Sequence, residues 1–368
     1  MLFYLSDSLI VNEENPKYAN IIMSVRNIAN QAINKIHYVI GSIKTIAYFR
    51  EIFKNEYFLG NFFNRLYQNY SMLSIPPFIN YYIEVTKQDN YTVKDNDRTI
   101  NKMSYDNFIN SDNLQKTMVL GESYNDSNFY EHILNYYRGK VAPHANFSLH
   151  ALPGNGKQTR EIIENEKRSK HILICIVDSD KRFPTDELKP KSTCSICSQI
   201  PETSIYHLIV LDVQEVENLI PTNYIDSLDW KNFNNEDRRN KRHFDYLKTD
   251  ANADRILSYF DYKNGIRKTH ELMSSQEFKN FAEMCFYSNK ELKSNNKDFT
   301  TFLNEKKVND ELIPRLFSGT TLITSVLSMI KEGKQPTPKL LPFQERNWNM
   351  IGHALLNWCI AESKDSMI

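Results

Sequence analysis

Between residues 114 and 225, short apolar runs alternate with amphipathic segments, and each run is closed by acids or glycines. This alternation constrains the fold more than any other feature, because parallel strands need long crossovers and antiparallel ones need only turns. Thr117-Met118-Val119-Leu120 reads as a strand ending at Gly121-Glu122. A helix should follow, with Asn125 or Asp126 as its N-cap and Phe129, Ile133 and Leu134 facing inward. Residues 147–152 read as a second strand, closed by Pro153-Gly154-Asn155-Gly156, and 157–168 as a helix. Residues 171–177 are the clearest buried strand, ending at Asp178-Ser179-Asp180. Residues 207–211 form a last strand, followed by Asp212 and Glu215-Val216-Glu217-Asn218-Leu219. Such an order predicts an α/β fold whose parallel sheet, flanked by helices, occupies 114–225.

The flanks read differently. Residues 1–113 are expected to form an N-terminal helical domain. Ile21, Ile22, Val25, Ile28, Ala29, Ala32 and Ile33 recur at helical spacing, as do Tyr48, Phe49, Phe53, Tyr57, Phe58, Phe62 and Phe63. The aromatic stripe suits a core, or else a face that docks a partner or a second copy in a homodimer. Pro76-Pro77 breaks the pattern, and the polar stretch 87–97 reads as a loop or exposed hairpin. Residues 226–368 are expected to be mostly helical, most clearly at 320–330 and 348–360, where Ile351, Leu355, Leu356 and Cys359 share a face.

Composition excludes several classes. The 368 residues carry 45 Lys+Arg and 45 Asp+Glu, which excludes a histone-like or acidic-tail protein but not a local basic groove. Five cysteines in a chain this long are no disulfide framework, so a reducing cytoplasm is the expected compartment. The N-terminus lacks a basic segment and a signal-length apolar run, and no stretch reaches membrane-spanning length.

Acids mark the chemistry. Glu122 follows the first sheet strand, and Asp178 and Asp180 close the central one. Open parallel sheets bind ligands beyond the carboxyl ends of their strands. Two residues separated by one on an extended segment project to the same side, so Asp178 and Asp180 can share a hard cation. Val119-Leu120-Gly121-Glu122-Ser123, Phe129-Tyr130, the Gly-rich Pro153-Gly154-Asn155-Gly156-Lys157 and Ile176-Val177-Asp178-Ser179-Asp180 together resemble a TOPRIM (topoisomerase–primase) domain. More narrowly, they resemble the TOPRIM-like nucleases of bacterial anti-phage systems and the overcoming-lysogenization-defect nucleases. The resemblance spans about 110 residues and leaves the flanks unmatched.

The resemblance implies a metal-dependent endonuclease acting on DNA or RNA, as a toxic effector of anti-phage defence restrained by a regulatory partner. It assigns Glu122 to the first motif acid, a metal ligand or general acid/base. Asp178 and Asp180 become the pair holding Mg²⁺ or Mn²⁺, and Glu217, with Glu215 as alternate, becomes the later acid. Lys157 or Lys181 would offset charge on the scissile phosphate. The segment 181–206 departs from the family pattern as an insertion, which would shape substrate access or be inert. Two other readings stay open: a binding or regulatory subunit with a degenerate TOPRIM fold, and a flavodoxin-like binder of a small phosphate ligand. A primase or topoisomerase fragment is disfavoured, because the chain shows no zinc-ribbon primase module and is short for a strand-passing enzyme.

Weaker signals stand beside these. Cys194 and Cys197 have zinc-knuckle spacing, but no second pair completes four ligands, so a plain turn with two thiols is the simpler expectation. Pro-flanked, the pair is not expected at a helix N-terminus. Gly154 to Lys157 lacks the early glycine and the Ser or Thr after lysine of a phosphate-binding loop. An ATPase would therefore have to be a partner protein. Arg238, Arg239, Lys241 and Arg242, with Lys263 further on and aromatics interleaved, would track a nucleic-acid backbone or form a solvated helix face.

Overall fold

In a computed structural model the chain is described over residues 1–70, 74–88, 90–295, 298–317 and 321–363. In chain order it runs β1 (Leu2–Leu5), α1 (Tyr18–Ile33), β2 (Tyr38–Gly41), α2 (Ile43–Ile52), α3 (Tyr57–Gln68), β3 (Tyr81–Thr86), β4 (Tyr91–Asp95) and β5 (Arg98–Ser104). Next come β6 (Thr117–Gly121), α4 (Tyr124–Val141), β7 (Asn146–Phe147), β8 (Leu149–Pro153), α5 (Thr159–Arg168), β9 (Leu173–Val177), α6 (Thr193–Cys197) and β10 (Tyr206–Val210). The remainder is α7 (Thr222–Asp226), α8 (Asn235–Lys248), α9 (Ala253–Tyr259), β11 (Ile266–Arg267), α10 (His270–Ser274) and α11 (Gln276–Ser288). It closes with α12 (Lys290–Asn295), α13 (Phe299–Glu305), β12 (Glu311–Ile313), α14 (Thr321–Lys331), α15 (Pro342–Cys359) and β13 (Ile360–Ala361).

Two compact units divide the chain, and they do not follow the three-part division expected at 113 and 225. One unit comprises Met1–Cys175, Ile200–Ile209 and Met350–Ile368; the other comprises Ile176–Gln199 and Val210–Asn349. The expected α/β class holds: the fold is mixed α/β with parallel strands.

The first unit carries a sheet that the sequence reading missed. Strands β2-β1-β3-β5-β4 form a five-stranded sheet, parallel except for the β4–β5 hairpin. Residues 1–113 are therefore not a helical domain. Leu2-Phe3-Tyr4-Leu5 and Tyr38-Val39-Ile40-Gly41 are four-residue apolar runs, too short to show a period, as strands buried on both faces are. Helix α1 follows expectation, whereas the loop or exposed hairpin expected at 87–97 covers only the first strand and turn of a hairpin whose second strand, β5, is partly buried; the turn at Asn96 is in the left-handed region at φ 50°. The aromatic stripe is interrupted at Tyr57 and Phe58. Phe49, Phe53 and Phe63 are buried with ring centroids 5.5 to 6.2 Å apart, whereas Tyr57 and Phe58 stand 76% and 71% exposed. Each buried ring contributes roughly 1.5–3 kcal/mol.

A second sheet, ordered β10-β9-β6-β8, holds the expected strands. Strand β6 pairs in parallel with β8 and with β9, through Leu120↔Cys175 in the latter case. The expected strand at 147–152 is two strands, β7 pairing with β13 and β8 with β6. Helix α4 starts earlier than expected, because Ser123 rather than Asn125 or Asp126 is its N-cap. Ser123 and Asp126 form a capping box, and Phe129, Ile133 and Leu134 are buried as expected.

The second unit is mostly helical. Helices α8, α9 and α11 and the short β11–β12 ladder build its core around Phe244, Tyr262, Phe281 and Phe286. Helix α14 begins at Thr321, and Thr320 of the expected helix lies outside the described residues. Helix α15 starts six residues before the expected 348, at Pro342. Among the described residues no helix is long and apolar enough to cross a membrane.

Candidate metal and carboxylate site

Strands β9 and β10 end in two turns that are laced together, and the laced turns carry four of the five predicted acids. Leu211 N donates to Val177 O at 3.0 Å, which holds the strand ends in step. Ser179, fully buried, donates its Oγ to Val213 O at 2.5 Å. Asp180 N donates to Gln214 O at 3.0 Å, and Val216 N donates to Asp178 Oδ1 at 3.0 Å. The expected pairing of Asp178 and Asp180 on one side of an extended segment does not hold. Asp180 takes a left-handed conformation at φ 57°, which breaks the extended geometry, and the Asp178 carboxylate is engaged as acceptor of the Val216 N–H.

The later acids are built on a 3-10 turn, Val216–Leu219. Asn218 anchors it: its Nδ2 donates to Leu257 O at 2.8 Å and Phe260 O at 3.0 Å, and its Oδ1 accepts from Glu215 N at 2.8 Å. Helix α15 braces the same turn, since Gln344 Nε2 donates to Asn218 O and Ile220 O, and Trp348 Nε1 to Leu219 O. Glu215 and Glu217 are thereby fixed as buried carboxylates, 8% and 2% exposed.

Lys263 completes the cluster. Its Nζ lies 2.8 Å from Glu217 Oε1 and 3.1 Å from Glu215 Oε2. Sequence reasoning placed Lys263 on a nucleic-acid surface, because it stands near other basic residues in the chain. The turn at Asp261, whose Oδ1 accepts from Lys263 N and Asn264 N, turns it inward instead. Burial and then the Glu217 charge push the Glu215 carboxyl up to about 8, against the pull of Lys263. For Lys263, burial opposes the charge, but Glu215 and Glu217 outweigh it and raise the pKa. Asp180 is also raised, by burial first; Lys189 and Lys263 work against the rise and Asp261 adds to it. Asp180, Glu215, Glu217, Asp261 and Lys263 therefore share one electrostatic neighbourhood.

Among the described residues no group of three or more His, Cys, Asp or Glu side chains stands ready to hold a metal ion. The donor chemistry nevertheless suits a hard cation. Glu215 Oε1 and Glu217 Oε2 are buried with no hydrogen-bond partner among the described residues, a costly arrangement for carboxylate oxygens.

The other predicted residues are distributed as follows. Glu122, half-buried, follows β6 in the first unit, where its carbonyl accepts from Asn155 N at 3.0 Å. Beside it Gly154 N donates to Gly121 O at 2.7 Å, and a Cβ at Gly154 would stand 2.7 Å from that oxygen, so the loop requires glycine. Lys157 lies in the 3-10 turn Gly156–Gln158, and its side chain is outside the described residues. Lys181 is half-buried, its N donating to Ser179 Oγ.

On α8, Arg238, Arg239 and Arg242 are exposed, but Lys241 is bound to Asp226 at 2.9 Å and Asp245 at 2.5 Å. Phe244 and Tyr262 are buried core rings, not stacking platforms. Cys194 and Cys197 are buried on α6, a short helix capped by Ser192, where a plain turn was expected. The segment after Asp180 is pinned rather than loose. Arg182 bonds Asp186 at 2.9 Å and lies 5.0 Å over Phe278, on which Phe183 stacks.

No protein-family model, no curated protein and no solved structure matches this chain.

Proposed function

We propose that this protein is a metal-dependent phosphodiesterase with a TOPRIM-like centre, cutting DNA or RNA in the setting of bacterial anti-phage defence. The observation that carries the reading is the pair of buried carboxylates, Glu215 and Glu217, each with an unspent oxygen, on a turn laced to Asp178-Ser179-Asp180. Burying two like charges is expensive, and a fold keeps such a pair where a cation repays it. Asp180, Glu215 and Glu217 would hold Mg²⁺ or Mn²⁺, with Asp178 fixing the turn between them. When bound, the metal would lower the pKa of a water and offset phosphate charge. Lys263 bridges the two acids, and a cation bound there would compete with it for them. Leaving Glu217, its ammonium would be free to meet the anionic substrate. The raised pKa of Glu215 reflects its burial and the neighbouring Glu217 charge, a cost that a cation bound there would relieve. Glu122 belongs to this reading by the resemblance and its strand-end place. The exposed Arg238, Arg239 and Arg242 supply a basic face for the polymer backbone.

A second reading has its own observation. Lys263 already neutralises the acids from within, as in a binding or regulatory subunit that has lost catalysis.

The deciding experiment is cleavage of plasmid DNA and of total RNA with Mg²⁺, Mn²⁺ or EDTA, beside the double change Asp178→Ala plus Asp180→Ala. Metal-dependent cleavage lost in the double variant supports the nuclease. No cleavage, together with equal growth of cells expressing either protein, supports the second reading.

A further inference from the structure

A cavity of about 840 Å³ lies wholly within the first unit and owes nothing to the acids above. Its volume suits one small organic ligand. Three aromatic rings in mutual contact line one part of it. Trp358 stacks with Tyr81, at 4.5 Å, and with His207, at 5.7 Å, with interplanar angles of 21° and 13°. Glu202 Oε1 lies 2.7 Å from His207 Nδ1 and fixes that ring. Tyr91, 44% exposed on β4, also lines the cavity.

Amides furnish the rest. Asn101 is 2% exposed; its Oδ1 accepts from Thr92 Oγ1 at 2.8 Å. Its Nδ2 makes no well-formed hydrogen bond among the described residues, though it lies near enough to the Tyr81 hydroxyl to temper the rise that burial causes there. Asn107 and Asn113 donate through Nδ2 to Ser104 O at 3.0 Å and Asn107 O at 2.7 Å, which leaves their Oδ1 atoms as acceptors. Two lysines lie at the C-terminal end of α5. Lys167 is held by Pro201 O at 2.7 Å and sits 4.8 Å over the Tyr206 ring, with Lys170 three residues on and exposed.

Rings, amides of both polarities and two lysines supply the three chemistries a nucleotide needs: a flat π-face, base edges and phosphate. A hydrocarbon would strand the amides, and a bare anion would leave the rings unused. We infer that this cavity binds a free mononucleotide, its base against the ring and amide walls and its phosphates at Lys167 and Lys170. This is no phosphate-binding-loop site, and it stands whether or not the nuclease reading does.

The test is calorimetric titration of the full chain with ATP, GTP, CTP and UTP in EDTA, beside ribose 5-phosphate and inorganic pyrophosphate. The variants are Tyr91→Thr, which keeps strand propensity, and Lys170→Asn, which suits the φ of 58° there. Both positions are exposed, and circular dichroism checks their folding. Saturable binding of at least one nucleotide is expected, weakened about tenfold or more by each variant, with ribose 5-phosphate and pyrophosphate weaker by a similar factor. No nucleotide binding at about 1 mM, equal binding of ribose 5-phosphate, or affinity unchanged in both folded variants would each overturn the inference.

Discussion

Lys263 Nζ stands 2.8 Å from Glu217 Oε1, and that ion pair places a fixed positive charge where the fold has buried two carboxylates. The pair makes a two-sided prediction. Lys263→Met leaves Glu215 and Glu217 without their counter-charge and should destabilise the protein by about 3 kcal/mol. Divalent cation should restore much of that loss, because a ligand that binds only the folded state stabilises it by mass action. Thermal melts of the variant, with and without Mn²⁺, check this. A variant as stable as wild type, or one that Mn²⁺ leaves untouched, would remove the metal from the proposed site.

A second buried carboxylate, far from this cluster in sequence, predicts a pH dependence. Glu362 is 6% exposed, accepts weakly from Val39 N at 3.5 Å and lies 3.6 Å from Arg65. Burial raises its pKa to about 7, against the pull of Arg65. The folded state therefore binds a proton that the unfolded chain has already lost between about pH 4.5 and 7. Its stabilising contribution is full below the lower value and declines as pH rises through the upper one. A shift of this size is worth roughly 3 kcal/mol at most. Glu362→Gln should flatten the denaturant-derived stability profile across that window, which urea melts at several pH values would show.

How much of this was legible in the sequence follows from burial and period. Strands β6, β9 and β10 could be read because each apolar run is long enough to stand out and is closed by acids or glycines. Strand β1 has only Leu2-Phe3-Tyr4-Leu5, which carries no period, and its neighbours β2 and β3 lie over 30 and 70 residues away in the chain. Nothing local announces such pairings. The acids could be found from strand-end position, but Lys263 could not, because its pairing is non-local: it reaches the site through the Asp261 turn. Asn218 was noted only beside Glu217, and its role as anchor depends on carbonyls at Leu257 and Phe260.

That turn makes its own prediction. Gly265 has a φ of 65°, and a Cβ there would meet Ile313 O at 2.3 Å and Arg315 N at 2.6 Å. Both obstacles are backbone and cannot swing aside. Gly265→Ala should cost about 2–4 kcal/mol, from steric overlap and left-handed strain together. It should also loosen Lys263, two residues away, so that the variant loses part of any metal response along with its stability. An alanine variant melting within about 0.5 kcal/mol of wild type would show the turn to be plastic.

Asp180 offers the sharpest contrast between stability and function. It holds a left-handed conformation at φ 57° and a carboxylate whose pKa burial has raised, so at neutral pH it costs the fold on both counts. Asp180→Gly removes the steric cost and the charge, at the expense of a more flexible unfolded chain; Asp180→Asn keeps a residue tolerant of this φ and removes the charge alone. Both variants should be at least as stable as wild type near pH 7, by up to about 1 kcal/mol, in urea melts without metal. Both should lose metal-dependent cleavage in the assay proposed above. A residue that weakens the fold and is required for activity is one retained for chemistry. If either variant were instead destabilised by more than about 1 kcal/mol, Asp180 would be a structural element of the laced turns, and the proposed metal site would have to rest on Glu215 and Glu217.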